Sequence, residues 1–265
     1  MRSPRASFDL RAAMTQELNA ALEELDAYGK PRTLHRCRVR LKRARALGRI
    51  GKAVAPGLAA VFNESARTVM RQLGKARDLT ALADTARLLA ETADHRGAAG
   101  LIHAADALET ARLQLPQLDL DTVRAGIRDL LALAQVWPEP SARQIRAGAK
   151  RIATRARRTR RRGCAAVDTT LRHNWRKREK DRLYAASLLD EAWPGPRRKK
   201  TSATLSHLLG MERDVLLLSQ RLADEPALAG DEETAARVQR ALRKYSRRLR
   251  KRADKLGDRL HAGGV

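Results

Sequence analysis

An all-α fold is predicted by three observations. Apolar residues recur at helical spacing along almost the whole chain, and Ala, Leu and Arg, all good helix formers with little strand preference, dominate it. Short breaks divide it at Gly29-Lys30-Pro31, Ala55-Pro56-Gly57, Asp94 to Gly97, Leu115-Pro116, Trp137 to Pro140, Trp193 to Pro196 and Glu225 to Gly230, which gives about ten helices. With 265 residues and 43% hydrophobic content the chain can bury a core, as one large domain or as two halves.

The first informative element follows the Pro31 break. An α-helix advances about 100° per residue, so His35, Arg38, Lys42 and Arg45 fall within one stripe of about 80°. Leu34, Cys37, Leu41 and Ala44 form a neighbouring stripe that would pack inward, and Arg36, Arg40 and Arg43 form a third face expected to point outward. Such a row is ordinarily a solvated face. The histidine at its head reads either as a satisfied core residue or as a hydrogen-bond donor to an anion.

Further along comes Leu73-Gly74-Lys75-Ala76-Arg77-Asp78-Leu79, and the Pro-rich turn Trp137-Pro138-Glu139-Pro140 then divides the chain near its middle. The stretch from Ser141 to Gly163 holds ten basic residues and no acid. As a helix it presents Arg143, Arg146, Lys150, Arg157 and Arg161 on one face and Arg151, Arg155, Arg158 and Arg162 on another. Its like charges repel at i, i+4, so a bound anion would stabilise it; a disordered arm is the alternative.

His173, Arg176 and Lys180 then repeat the first spacing, and Leu209-Gly210-Met211-Glu212-Arg213-Asp214-Val215 repeats the later segment. The displacement is 138 residues from His35 to His173 and 136 from Asp78 to Asp214. Two patterns in the same order at nearly the same displacement imply an internal duplication with pseudo-twofold symmetry, residues 1–137 and 138–265, each half a bundle of about four helices. Asp78 and Asp214 read as helix N-caps or as ion-pair partners of a basic side chain. From Asp231 to Leu260 a long closing helix carries an apolar seam beside the row Arg240, Lys244, Arg247 and Lys251.

Charge sets the partner class. The 55 Lys and Arg against 30 Asp and Glu leave a net +25, an excess that folding does not require and that points to a polyanion. Aromatic residues make up only 3%, so there is little surface on which bases could stack, and a polymer of bare phosphates fits better than single-stranded nucleic acid. Cys37 and Cys164 suggest neither a disulfide framework nor a zinc site, and the other histidines (His95, His103, His207 and His261) show no ligand spacing, so no metal or cofactor is expected. No Gly-x-x-x-x-Gly-Lys loop or paired acids suggest catalysis. The amino-terminal segment has no apolar run of signal-peptide length and no stretch suits a membrane span, so a cytoplasmic protein is expected.

The segment His173-Asn174-Trp175-Arg176-Lys177-Arg178-Glu179-Lys180-Asp181-Arg182-Leu183-Tyr184, ending in Glu191-Ala192-Trp193-Pro194, resembles the CHAD family, the conserved-histidine α-helical domain. The Leu34 to Arg45 helix, both Leu-Gly-x-x-Arg-Asp segments and Lys255 to Leu260 are similar to it too, so the resemblance covers roughly Phe8 to His261 as a single domain. It implies two pseudo-symmetric four-helix bundles around a central basic pocket or channel that binds inorganic polyphosphate, with targeting to polyphosphate granules as a further expectation. By position, His35, Arg38, Lys42 and Arg45 would line one side, and His173, Arg176, Lys177 and Lys180 the other. The basic rows Arg143, Arg146, Lys150, Arg157 and Arg161, and Lys244, Arg247 and Lys251, are expected to contribute contacts. One departure stands out: Leu183 occupies the place of Arg45, with Arg182 beside it. The Glu-x-Glu-x-Lys signature of the CYTH domain that often accompanies this family is absent, so no triphosphate-hydrolysing tunnel is expected. The other reading is a nucleic-acid-binding protein that uses the same stripes on a phosphodiester backbone.

Overall fold

The structure, a computed structural model, describes residues 8–262 apart from 31 and 167, with the side chains of 75–77 also left aside. The described residues form ten α-helices joined by short turns: α1 (Leu10–Asp26), α2 (Thr33–Ile50), α3 (Pro56–Gln72), α4 (Gly74–Ala90), α5 (His95–Leu113), α6 (Leu120–Gln135), α7 (Ala142–Gly163), α8 (Thr169–Leu189), α9 (Lys199–Asp224) and α10 (Glu232–His261). The predicted class and helix number both hold. The starts follow local chemistry. Asp9, Asp94, Asp119, Asp168 and Asp231 accept backbone N–H bonds as N-caps, Ser141 and Gln144 close a capping box on α7, and Pro56 opens α3.

Two apolar cores result. One joins α1, α2, α3 and α6 around residues such as Leu18, Leu41, Phe62 and Ile127; the other joins α4, α5, α9 and α10 around Leu101, Leu108, Leu218 and Leu242. These packing units do not coincide with the two sequence halves, because α4 and α5 leave the first core to pack with α9 and α10. The turn at Trp137 is not a linker. Trp137 is 1% exposed and meets Phe62 edge-on at 5.7 Å between ring centres, plugging the first core.

Helices α7 and α8 pack against each other and tie the cores together. Ile145, Ala149 and Ile152 of α7 join the first core, whereas α8 gives Ala185, Ala186 and Leu189 to the first and Trp175 to the second. Gly148 sets the approach of α7 to the end of α2, because a Cβ there would overlap the Ile50 carbonyl group. The Leu-Gly segments differ in setting. Leu73-Gly74 is the junction between α3 and α4, while Leu209-Gly210 lies inside the unbroken α9.

Candidate functional site

A large cleft, about 1090 Å³, lies between the end of α2, one side of α7 and one face of α8. Arg49 and Lys52 come from the α2 end, Arg151, Arg155, Arg158 and Arg162 from α7, and Arg178 from α8. One carboxylate, Asp181, stands among them and accepts hydrogen bonds from Arg49 Nη1 at 2.7 Å and Arg178 Nη1 at 2.8 Å. Burial is the first cause lowering the pKa values of Arg45, Arg49, Arg155 and Lys177, and their neighbours deepen the effect. Arg45 is pushed down to about 10, by burial and then by Arg49, with Arg67 and Arg178 adding while Asp181 opposes. Lys177 is lowered by burial and by Arg178, Arg67, Arg213 and Arg45. Basic side chains from α2, α3, α7, α8 and α9 are thus held close together with their repulsion only partly offset. A multivalent anion would relieve it.

A second cleft, about 890 Å³, opens on another side of α8. Here His35 and Arg32, at the start of α2, meet Arg176 and Lys180 of α8, so both predicted stripes contribute to one cavity. Its wall also carries His207 and three acids, Asp84, Glu109 and Asp214, which make it more mixed in charge than the first. Helix α2 begins without a side-chain cap, from Arg32 in the left-handed conformation (φ 64°), so its amino-terminal N–H groups add to the attraction for anions.

The two histidines do not share a cavity. His173 lines a smaller one of about 170 Å³ with Arg176, Arg213 and Arg250. Burial, followed by Lys177, Arg213 and Arg176, pushes it down to about 4, which favours the neutral imidazole at pH 7. Its Nδ1 is buried with no hydrogen-bond partner among the described residues. The equivalent arginines, by contrast, share a setting. A Cβ on Gly74 would have Arg38 Nη1 as its nearest neighbour at 3.7 Å, and one on Gly210 would have Arg176 Nη2 at 4.0 Å. Each Leu-Gly pair therefore passes the Arg of one stripe, and Arg38 also donates from Nη1 to the Met70 carbonyl at the end of α3.

Other expected residues lie elsewhere. Of the α7 row, only Lys150 borders the large cleft; Arg143, Arg146 and Arg161 are exposed on the far side, and Arg157 sits in a small cavity of about 40 Å³ beside Trp193 and His261. The cleft uses the other row. Lys244, Arg247 and Lys251 are exposed on α10 and border none of these cavities. Arg182 does not replace the missing arginine at Leu183: it is 6% exposed, donates to Ser202 Oγ at 3.0 Å and lies over Trp193. The face expected to point outward from α2 instead meets α1, where Arg36 pairs with Glu24 and both Arg40 and Arg43 pair with the buried Glu17. A carboxylate inside the core must be neutralised, and Arg40 and Arg43 of this face reach it. Asp78 and Asp214 lie within α4 and α9, so neither is an N-cap. Arg49 and Arg178 were missed, although Arg49 extends the Arg38, Lys42, Arg45 row by one turn.

Among the described residues no three His, Cys, Asp or Glu side chains gather as a metal site, and no helix is long and apolar enough to cross a membrane. No curated protein matches the chain. Its fold is similar to the crystal structure of the CHAD domain from the plant Ricinus communis, with a TM-score of 0.65 and 22% identity over 97% of this chain and 93% of that one. The sequence model of the CHAD domain matches residues 12–223, from α1 through α9, and the chain therefore belongs to the CHAD domain family.

Proposed function

We propose that this domain binds inorganic polyphosphate along the basic faces of α2, α7 and α8 and holds the polymer without turning it over, in the cytoplasm and on polyphosphate granules. The observation that carries the reading is the crowding of Arg45, Arg49, Arg155 and Arg178 around one carboxylate beside the 1090 Å³ cleft, with Lys177 close to Arg45 and Arg178. A polymer with a charge on every phosphate offsets that repulsion at many points. Guanidinium forks clamp phosphate oxygens in pairs, lysines add point charges, and neutral His173 offers one hydrogen bond. The shortage of aromatic side chains suits a ligand without bases.

Calorimetry with polyphosphate, against an RNA of matched charge, tests this directly. Polyphosphate is expected to bind more tightly, to displace the RNA at lower concentration, and to lose affinity steeply with salt as counterions are released. Arg49→Gln with Arg178→Gln is expected to weaken binding by about tenfold or more, each lost charge-assisted bond contributing roughly 1.5–3 kcal/mol. Arg143→Gln with Arg146→Gln, on the far side of α7, should leave it unchanged. Equal affinity in the cleft variant, or phosphate release from the polymer in the presence of Mg²⁺, would overturn the proposal.

A further inference from the structure

The outer face of α10 has no role in the clefts. Every exposed residue from 240 to 255 is a lysine or arginine, and none of these side chains is in an ion pair among the described residues. The apolar seam (Val238, Leu242, Leu249 and Ala253) is buried in the second core on the opposite side. Like charges therefore stand at i, i+4 along the ridge without an acid to separate them, an arrangement that disfavours the helix unless something negative covers it.

The shape of the ridge selects the partner. At about 1.5 Å per residue it runs for roughly 22 Å, and the cations span about 180° of the helix: Arg243 and Arg247 on one flank, Lys244 and Lys251 on the crest, Arg248 and Arg252 on the other flank. A single thread of phosphates would touch one row. An anionic bilayer would reach the crest, but a helix that lies on a membrane needs an exposed apolar edge, and this one has none. Two walls of phosphate meet both flanks. The B-form major groove is about 12 Å wide, close to the diameter of a helix, whereas the A-form groove is too narrow. No aromatic side chain is exposed on the ridge to stack an unpaired base.

We propose that the outer face of α10 is a docking surface for double-stranded DNA, read through its phosphate backbone and separate from the clefts, so that one domain can hold DNA and a second polyanion together. Fluorescence anisotropy with a random-sequence DNA duplex tests it, on the full chain and on the variant R243Q/R247Q/R248Q/K251Q/R252Q, whose exposed positions tolerate Gln within a helix. The variant is expected to bind the duplex at least ~10-fold more weakly near 0.1 M salt, with a salt slope lower by about one for each phosphate that the variant no longer neutralises. Its melting temperature should equal or exceed that of the parent chain, as like-charge repulsion is relieved, and its polyphosphate affinity by calorimetry should stay close to the parent's. R49Q/R178Q should bind the duplex as the parent does, and short polyphosphate should not displace it. Undiminished duplex binding by the α10 variant overturns the proposal, as does displacement by short polyphosphate. So would a loss of binding to phosphatidylserine vesicles, but not to DNA, in the α10 variant. Loss of polyphosphate binding in R49Q/R178Q bears on the cleft alone, so the two readings succeed or fail separately.

Discussion

Helices α2 and α8 carry the same His, Arg, Lys spacing but turn very different faces inward. The inward positions of α2 are Leu34, Cys37, Leu41 and Ala44; the positions 138 residues later on α8 are Arg172, Trp175, Glu179 and Arg182. Arg172, Glu179 and Arg182 are 5%, 0% and 6% exposed. Arg172 donates from Nε to Glu212 at 2.8 Å, pairs with Asp254 and donates to the Gly163 carbonyl at 3.0 Å, which joins α7, α8, α9 and α10. Glu179 accepts from Trp175 Nε1 at 3.0 Å and lies 2.6 Å from His261 Nε2, at the end of α10. The inward stripe of α2 is thus held by apolar contact within one bundle, whereas that of α8, which lies between both cores, is fixed by directional polar bonds. An outward pattern can be kept in two copies while the inward one is rewritten for each site.

The largest expected effect tests that contrast. Arg172→Ala leaves Glu212 and Asp254 without their shared partner and should lower the unfolding free energy by about 3–5 kcal/mol in urea denaturation. Leu34→Ala, at the equivalent half-buried position, should cost about 1 kcal/mol. Equal losses would mean that the polar network adds no special rigidity to α8. Next in size is function: Arg38→Gln and Arg176→Gln, each beside the glycine of its own Leu-Gly pair, should weaken polyphosphate binding similarly, by about tenfold (~1.4 kcal/mol) each. A large effect from only one of them would break the equivalence of the two copies.

A smaller effect concerns pH. The folded chain holds the pKa of His173 near 4 against an ordinary 6.5. As the pH falls through that window the unfolded chain takes up a proton that the folded chain refuses, so stability drops. The difference in urea midpoint between pH 7 and pH 5 should therefore shrink in His173→Gln, and an unchanged difference would remove His173 as its source. The smallest effect separates the two glycines. Gly210→Ala, inside α9 with only Arg176 Nη2 at 4.0 Å from the new Cβ, should raise stability by about 0.5–1 kcal/mol, while Gly74→Ala at the first residue of α4 should change it less.

Part of the candidate site was legible in the residues because charge and helical period are local properties. His35, Arg176 and Lys180 were selected from spacing and do meet in one cavity. The choice between the two rows of α7 was not legible. Ile145, Ala149, Ile152 and Ala156 mark the buried face, and the two basic rows flank it at nearly equal angles, about 120° to one side and 125° to the other. Nothing within the helix says on which side α8 will lie. Likewise the face of Arg36, Arg40 and Arg43 looked outward because its partners, Glu17 and Glu24, stand on a different helix.

The sequence by itself determined an all-helical chain, the helix boundaries written by Asp, Ser, Pro and Gly, a large excess of positive charge and a pattern used twice. Only the tertiary structure decided which helices share a core, which arginine row faces the cleft, and that α10 keeps its basic ridge outside. The physical reason is range. Helix propensity, capping and amphipathic period act within a few residues, whereas burial, ion pairing and like-charge crowding depend on which surfaces meet, and α4 and α5 cross to the second core to meet α9 and α10.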